Sequence, residues 1–168
     1  EWREQLRACA RLLLGAGADA NQATGSRRPP ASPAAPAADA PLSALYGAAG
    51  RNHDAVLTQL LLDAGADPND GESLYHALED TTCTRLLLKA GARVTGSNAM
   101  YRVLDLDALE VLQLLLAHGG NANEPGHGPW NTPLLWAIRR RRSPAHIAAL
   151  LDAGAQAAVQ NPDGISAY

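Results

Sequence analysis

Short leucine-rich segments recur along the chain, and each of them runs into a glycine. The segments are LLLGAG, LLLDAG, LLLKAG, LLLAHG and ALLDAG, which begin at Leu12, Leu60, Leu86, Leu114 and Ala149. A glycine just past an apolar helix takes the left-handed conformation that closes the last helical carbonyls. The pattern therefore predicts five helices that end at Gly17, Gly65, Gly91, Gly119 and Gly154.

The spacing of these glycines indicates an internal repeat. Successive glycines lie 48, 26, 28 and 35 residues apart, which fits a period of about thirty residues with one long insertion. In the cleanest copy, residues 98–121, a first helical stretch is followed by a break near Asp105 to Asp107 and by a second stretch. The second stretch is apolar on more than one side, so it must be covered on more than one side. Stacked neighbouring repeats are the predicted cover.

One segment carries a family resemblance. NTPLLWAI, Asn131 to Ile138, resembles the T-P-L-H-x-A signature of ankyrin repeats, with Leu135 at the usual histidine. LLLDAGADPN is similar to the end of the second ankyrin helix, and NPDGISAY to the opening of a further repeat. The resemblance implies an all-α fold, an ankyrin-repeat α-solenoid of stacked helix-turn-helix pairs with short β-turn fingers.

The repeat pattern predicts a single array over residues 1–168. Its parts are a partial repeat at 1–21 with a second helix only, a Pro/Ala-rich insertion at 22–41, repeats at about 42–69, 70–95, 96–123 and 124–159, and a partial repeat at 160–168. The third and fourth repeats are short, which predicts clipped fingers. The second and fifth carry one extra residue between their helices, near Arg51 and near Ser143. The incomplete terminal repeats predict neighbouring sequence on both sides in the native protein.

The insertion at 22–41 has no apolar period and is rich in alanine and proline. Such a segment buries too little surface to order itself, which predicts a mobile loop. The alternative is a polyproline II ligand, because Pro30 and Pro33 give a P-x-x-P spacing.

Charge and composition narrow the range of partners and locations. The net charge of −3 gives no broad electrostatic reason to bind nucleic acid or an anionic membrane, and no apolar run approaches the length of a membrane helix. We therefore predict a cytoplasmic, monomeric protein, and the Ala- and Arg-rich composition favours a GC-rich bacterial source.

Cys9 and Cys83 occupy the same register before their leucine runs, which predicts two small buried side chains and a reducing compartment.

The sequence offers no catalytic, cofactor-binding or metal-binding constellation. It has no phosphate-binding glycine loop and no nucleophile elbow, and its histidines lack paired spacing on one helix. The only dense charge run is RRRRSP, Arg139 to Pro144. It is interpreted as a solvated helix end, with an anchor for a protein partner or a nucleic-acid or nuclear-import patch as alternatives.

Tyrosines occupy the position of the ankyrin histidine in three repeats. When the chain is aligned to the ankyrin repeat that it resembles, these tyrosines are Tyr46, Tyr75 and Tyr101. We interpret them as a structural ladder between repeats, and a ligand-stacking role is the alternative.

Protein recognition is the function that the resemblance implies, because ankyrin arrays present inner helices and finger tips on a concave surface. The residues that map to that surface are Trp130, Asn131, Arg139, Arg140, Arg102, Asp105, His76 and Glu79. Tryptophan and arginine often carry interface energy, so a basic rim around Trp130 predicts a partner with an acidic segment. Trp136 is assigned to the core. The alternative function is a regulatory or scaffolding segment that packs against a catalytic domain of the same longer chain, and an enzyme is a more distant one.

Overall fold

The structure is a computed structural model of the chain, and it describes residues 1–26, 41–126, 128–161 and 163–167. Within those ranges the protein is helical apart from one short pair of strands. Contacts between residues divide the chain into two compact units, an N-terminal unit, Glu1–Ala92, and a C-terminal unit, Arg93–Tyr168.

The N-terminal unit contains four α-helices, one π-helical turn and two strands. In chain order these are α1 (Trp2–Gly15), β1 (Ala23–Ser26), β2 (Pro41–Ser43), the π-turn (Tyr46–Arg51), α2 (Ala55–Asp63), α3 (Ser73–Ala77) and α4 (Thr81–Lys89). Helix α1 packs on α2, α2 packs on α4, and α3 packs on both α4 and the π-turn. Consecutive helix pairs are therefore stacked in this unit.

The C-terminal unit contains two further helix pairs. These are α5 (Ala99–Asp105) with α6 (Leu109–Ala117), and α7 (Pro133–Arg139) with α8 (Pro144–Asp152). Helix α5 packs on α7, and α6 packs on α8, so pair stacks on pair. The predicted break lies between α5 and α6, although Asp105 is the last residue of α5 rather than part of the turn.

The five predicted helix ends are confirmed by their backbone conformation. All five glycines have positive φ, with values of 91°, 89°, 97°, 85° and 88° at Gly17, Gly65, Gly91, Gly119 and Gly154. After α2, the Ala66 N–H donates to the Leu61 carbonyl at 3.0 Å, and the Gly65 N–H donates to the Leu62 carbonyl at 3.0 Å. These bonds satisfy carbonyls that would otherwise lack a partner at the helix end.

Asparagines four residues after these glycines join adjacent repeats. The Asn21 amide donates to the Gly65 carbonyl at 2.9 Å and accepts from the Asp67 N–H at 2.7 Å. Asn123 makes the equivalent pair of bonds to the loop after α8. Each asparagine side chain thus bonds one carbonyl and one N–H of the next repeat.

The extra residue predicted near Arg51 is accommodated as a π-helical turn. The Asn52 N–H donates to the Gly47 carbonyl at 3.0 Å, five residues back, as expected where a helix absorbs one added residue. Glycine is required at position 50, because a Cβ atom there would lie 2.6 Å from the Cβ of His76. Near Ser143, Arg141 has a left-handed conformation with φ of 54°, as Asp107 has with φ of 59° in the link between α5 and α6.

Both ends of the insertion are regular, contrary to the prediction of a loop throughout 22–41. Strands β1 and β2 pair in antiparallel fashion, with Thr24 opposite Leu42. The hydrogen bonds between β1 and β2 satisfy backbone groups at both ends of the insertion. The composition of the segment does not predict this pairing. The predicted mobile centre of the insertion and its P-x-x-P residues, Pro30 and Pro33, lie outside the described residues.

The shared burial predicted for the two cysteines is wrong for one of them. Cys83 is buried, with its Sγ 3.8 Å from the Thr58 Oγ1 of the preceding helix pair, whereas Cys9 is exposed. The difference arises because helices α2 and α3 cover α4, whereas no helix of the described chain precedes α1.

Cys9 belongs to a bare apolar face of α1. Trp2, Leu6, Cys9 and Leu13, called here the α1 stripe, recur at helical spacing, and all four are exposed. Helix α1 has no buried residue. In α2, α4, α6 and α8 the residues equivalent to Cys9 and Leu13 are all buried.

Polar contacts hold α1 against the rest of the unit. The Arg7 guanidinium donates to both carboxylate oxygens of Asp54, at 2.8 to 3.0 Å, and Arg3 donates to the Asn52 carbonyl at 3.0 Å. Asp54 also caps α2 by accepting from the Leu57 N–H at 3.0 Å. Burial of Asp54 opposes its charge, but the bonds from Arg7 and Leu57 outweigh that effect and lower the pKa of the carboxyl.

A histidine stands at a core position of α8. His146 is buried and occupies the place that Leu57, Cys83 and Val111 hold in the other pairs. Its Nδ1 lies 2.9 Å from the Ser143 Oγ, and its Nε2 lies 3.5 Å from a carboxylate oxygen of Asp107. Burial lowers the pKa of His146, an effect that Arg142 reinforces and Asp107 only partly offsets.

We expect His146 to make the protein less stable in acid. Its pKa when folded lies below the ordinary value of 6.5, so the unfolded chain binds the proton first as the pH falls through that value. The stability that the neutral imidazole contributes is complete above pH 6.5 and is lost below it. Urea unfolding of the native protein and of His146→Leu from pH 8 to pH 5 measures this effect. The leucine variant should lose a smaller part of its unfolding free energy over that range, and equal losses in both proteins would contradict the assignment.

Candidate functional site

Asp105 is the centre of a polar and aromatic cluster in the C-terminal unit. The Trp136 indole N–H donates to the Asp105 Oδ1 at 3.0 Å, and the Arg140 Nε lies 2.6 Å from the same oxygen. The Arg140 guanidinium stacks 4.8 Å from the centre of the Trp136 ring. A carboxylate at the end of α5 faces the negative end of the helix dipole, so these two donors offset an otherwise unfavourable position.

Helix α7 places the two partners of Asp105 on one face. It begins at Thr132, whose hydroxyl accepts from the Leu135 N–H at 3.2 Å, and Pro133 occupies its first turn. Trp136 and Arg140 are four residues apart, so their side chains lie on the same side of the helix. Because α5 packs against α7, that side meets Asp105.

A second arginine and tryptophan pair lies at the finger before α7. The guanidinium of Arg139, the last residue of α7, stacks 5.2 Å from the centre of the Trp130 ring. Trp130 is half-buried and Arg139 is exposed. The neighbouring Asn131 is half-buried, and its carbonyl accepts from the Gly126 N–H at 2.9 Å, which closes the finger.

Two of the three predicted ladder tyrosines, Tyr46 and Tyr101, pack against a ring of the next repeat, and Tyr75 contacts His76 of its own helix. Tyr46 meets the His76 ring edge-on, with centroids 5.2 Å apart, and Tyr101 meets Trp136 at 6.2 Å. In both cases the partner ring follows the residue that occupies the tyrosine position in the next repeat. His76 follows Tyr75, and Trp136 follows Leu135. The Tyr101 hydroxyl donates to the Glu124 carbonyl at 2.7 Å, and burial raises its pKa.

The structure brings most, but not all, of the predicted surface residues into one unit. Arg102 is half-buried on α5. It lies in the C-terminal unit together with five other predicted surface residues, Asp105, Trp130, Asn131, Arg139 and Arg140. His76 and Glu79 belong to the N-terminal unit. There His76 lies 3.2 Å from a Glu72 carboxylate oxygen and packs between Tyr46 and Tyr75, and Glu79 is exposed.

Trp136 is not the core residue that its place within the helix signature predicts. It is half-buried and contacts Tyr101, Asp105 and Arg140. The available signal was its spacing of four residues from Arg140, which puts both side chains on one helix face.

The arginine run is only partly neutralised within the unit. Arg140 pairs with Asp105, and Arg142 pairs with Asp107 at 2.8 Å. Across the residues that the structure describes, neither Arg139 nor Arg141 forms an ion pair, and both are exposed. This edge of the unit is therefore locally basic although the chain is acidic overall.

The described part of the chain holds no cluster of side chains suited to a metal ion. No three His, Cys, Asp or Glu side chains converge there on an arrangement that could hold a metal ion. Burial raises the pKa of the Cys83 thiol to about 12, so this thiol is not poised as a nucleophile. Among the described helices, none combines the length and apolar character needed to cross a bilayer.

Comparison with solved structures identifies the architecture. The crystal structure of the ankyrin repeat domain of Bcl-3, a unique member of the IkappaB protein family, matches with a TM-score of 0.75 and 21% identity over 96% of this chain and 71% of that chain. The human ASB11 ankyrin repeat domain matches with a TM-score of 0.55 and 21% identity, over 97% of this chain and 88% of that chain. No family model matches the sequence, and no curated protein matches it. The chain therefore has the ankyrin-repeat fold that its sequence predicts.

Proposed function

We propose, given the ankyrin-repeat fold of the chain, that it is a protein-interaction module whose C-terminal unit binds an acidic segment of a partner protein. The contact residues would be Arg102, Asp105, Trp130, Asn131, Arg139 and Arg140, with Trp136 added. His76 and Glu79 would form a separate contact region on the N-terminal unit. We assign no reaction to the chain, because fold alone does not fix function and the site holds no catalytic arrangement.

The stacking of Arg139 on Trp130 is the observation that carries this proposal. The Arg139 Cζ lies over the Trp130 ring, 5.2 Å from its centre, and an arginine that contacts an aromatic ring in this way can still donate its N–H groups to a carboxylate. A guanidinium held in this way has already lost much of its side-chain freedom, which lowers the entropic cost of binding a carboxylate. Two parallel N–H···O bonds then favour Asp or Glu over a neutral side chain.

Arg140 contributes in a different way, because its charge is already shared with Asp105. It fixes the orientation of Trp136 and keeps the cluster rigid rather than acting as a first anchor. The ligand carboxylate is therefore expected at Arg139, beside the half-buried ring of Trp130.

Selection from a library of random twelve-residue peptides, with the whole chain as bait, tests the proposal. We expect the selected peptides to be enriched in Asp and Glu, and their affinity to fall as salt is raised. The double substitution of Trp130 and Arg139 by Ala should weaken binding of a selected peptide at least tenfold, because it removes the ring and the charge together. Fluorescence anisotropy measures this change.

Arg85→Ala is the matched control, since it removes one exposed arginine from α4 in the other unit. Its affinity should equal that of the native chain, and the helicity of both variants should be unchanged by circular dichroism. Selected peptides without acidic enrichment, or an affinity that survives the loss of Trp130 and Arg139, would refute the proposed surface.

A further inference from the structure

The turn between α7 and α8 presents a hydroxyl directly after the arginine run. Positions 138–145 are all exposed except Arg142, which is half-buried. Ser143 ends the run in an extended conformation, with φ of −62° and ψ of 158°, and Pro144 opens α8. The serine is therefore open to a large partner from several directions.

The Ser143 hydroxyl does not perform the role that its position suggests. At the equivalent position, Asp54 and Asp80 cap their helices by accepting a backbone N–H of the first turn. Ser143 makes no such bond, and its Oγ lies instead 2.9 Å from the His146 Nδ1. The first turn of α8 therefore has no side-chain cap, and the hydroxyl contacts the His146 ring instead.

Cations surround the same hydroxyl on its N-terminal side. Arg139, Arg140, Arg141 and Arg142 precede it without interruption. Arg142 folds back, donating to the Arg140 carbonyl at 2.9 and 3.1 Å, while its remaining nitrogen lies 2.8 Å from Asp107. Arg140 and Arg142 are paired with Asp105 and Asp107, so Arg139 and Arg141 supply the positive charge that favours an anion near this part of the chain.

We propose that Ser143 is a phosphorylation site for a protein kinase whose substrate groove is acidic. Such a groove selects substrates by charge complementarity, and this chain offers arginines two and three residues before the acceptor. In the reaction, the Ser143 oxygen bonds to the γ-phosphorus of ATP, and the bond from that phosphorus to the bridging β-phosphate oxygen breaks. ADP leaves with the electron pair, and the hydroxyl proton passes to a base of the kinase.

The product state fits its surroundings better than the free hydroxyl does. A phosphoserine carries about −1.5 to −2 charges and three acceptor oxygens. At Ser143 these oxygens lie at the N-terminus of the nine-residue α8, where the helix dipole favours an anion. Arg142 is the preceding residue, and we expect it to exchange Asp107 for the phosphate. The phosphate replaces the contact of the Ser143 Oγ with the His146 Nδ1, and we expect a net rise in the melting midpoint of about 2 to 4 °C.

The test incubates the whole folded chain with ATP and a serine kinase known to select arginine before the acceptor. We expect addition of one phosphoryl group at Ser143, located by mass spectrometry of proteolytic fragments, and no addition at this position in Ser143→Ala. Replacement of Arg140 by Ala and Arg141 by Asn should lower kcat/KM for this site at least tenfold. Asn is chosen because it tolerates the left-handed conformation at position 141. Arg85→Ala should leave the rate unchanged.

A synthetic peptide that spans residues 139–147 separates accessibility from recognition. Modification of the peptide but not of the folded chain would overturn the proposal by showing that the turn is closed to the enzyme. Failure of both, or equal rates for the native chain and the double arginine variant, would overturn the role of the arginines. A phosphorylated chain that melts below the unmodified one would contradict the predicted stabilisation of α8.

Discussion

Replacement of Leu87 by Ala should lower the free energy of unfolding by about 3 kcal/mol, whereas the same replacement at Leu13 should change it by less than about 0.5 kcal/mol. The two leucines occupy the same position of the repeat, four residues before Gly91 and Gly17 respectively. Leu87 is 0% exposed, so truncation leaves a cavity as well as removing buried apolar surface. Leu13 is 61% exposed, so its side chain has little buried surface to lose.

Urea unfolding of the two variants measures both effects, and each serves as the control for the other. Since the substitution and the position in the repeat are the same, helix propensity and sequence context contribute about equally to both. A loss at Leu13 as large as that at Leu87 would show that the α1 stripe is covered in solution. A small loss at Leu87 would show that α4 is not part of the core.

The two cysteines should differ by orders of magnitude in their reaction with an aromatic disulfide reagent. Cys9 is exposed on the α1 stripe, whereas Cys83 is buried beside Thr58. Burial raises the pKa of the Cys83 thiol to about 12, which leaves far less of the reactive thiolate at neutral pH. Steric exclusion of the reagent slows Cys83 further.

We therefore expect one thiol to react promptly in the native protein and the second to react only after urea unfolds the chain. In Cys9→Ser the prompt phase should disappear, while the thiol released by unfolding remains. Two prompt thiols in the native protein, or a prompt phase that survives in Cys9→Ser, would contradict the different environments of the two helices.

Local patterns predicted most of the fold because the responsible interactions are local. A glycine after a leucine run closes a helix with bonds inside one turn, so Gly65 and Gly119 could be assigned from sequence. The same holds for Thr132 and Pro133, which start α7. Strands β1 and β2 could not be predicted, since their bonds join segments on either side of the insertion, and nothing in the local composition specifies that pairing.

The candidate site shows the same division between local and non-local information. Arg139, Arg140 and Trp130 were predicted from their place in the ankyrin signature, and Asp105 from the preceding repeat. The indole N–H of Trp136 donates to Asp105, which belongs to another helix pair. The spacing of residues within one repeat does not predict a contact between repeats. Cys9 shows a different failure: its shared register with Cys83 predicts burial, although the sequence already indicates that the first repeat has a second helix only, and the structure leaves Cys9 exposed.

The π-turn at Tyr46–Arg51 bears on how this architecture tolerates insertions and deletions during evolution. One additional residue is absorbed by a bond from Asn52 back to Gly47, and α2 still begins with its aspartate cap at Asp54. The added residue in the segment between two helices thus changes the local helical pitch from the α-helical to the π-helical value. The helices that follow keep their packing, so a link between helices can gain a residue while the stacking of the repeats is retained.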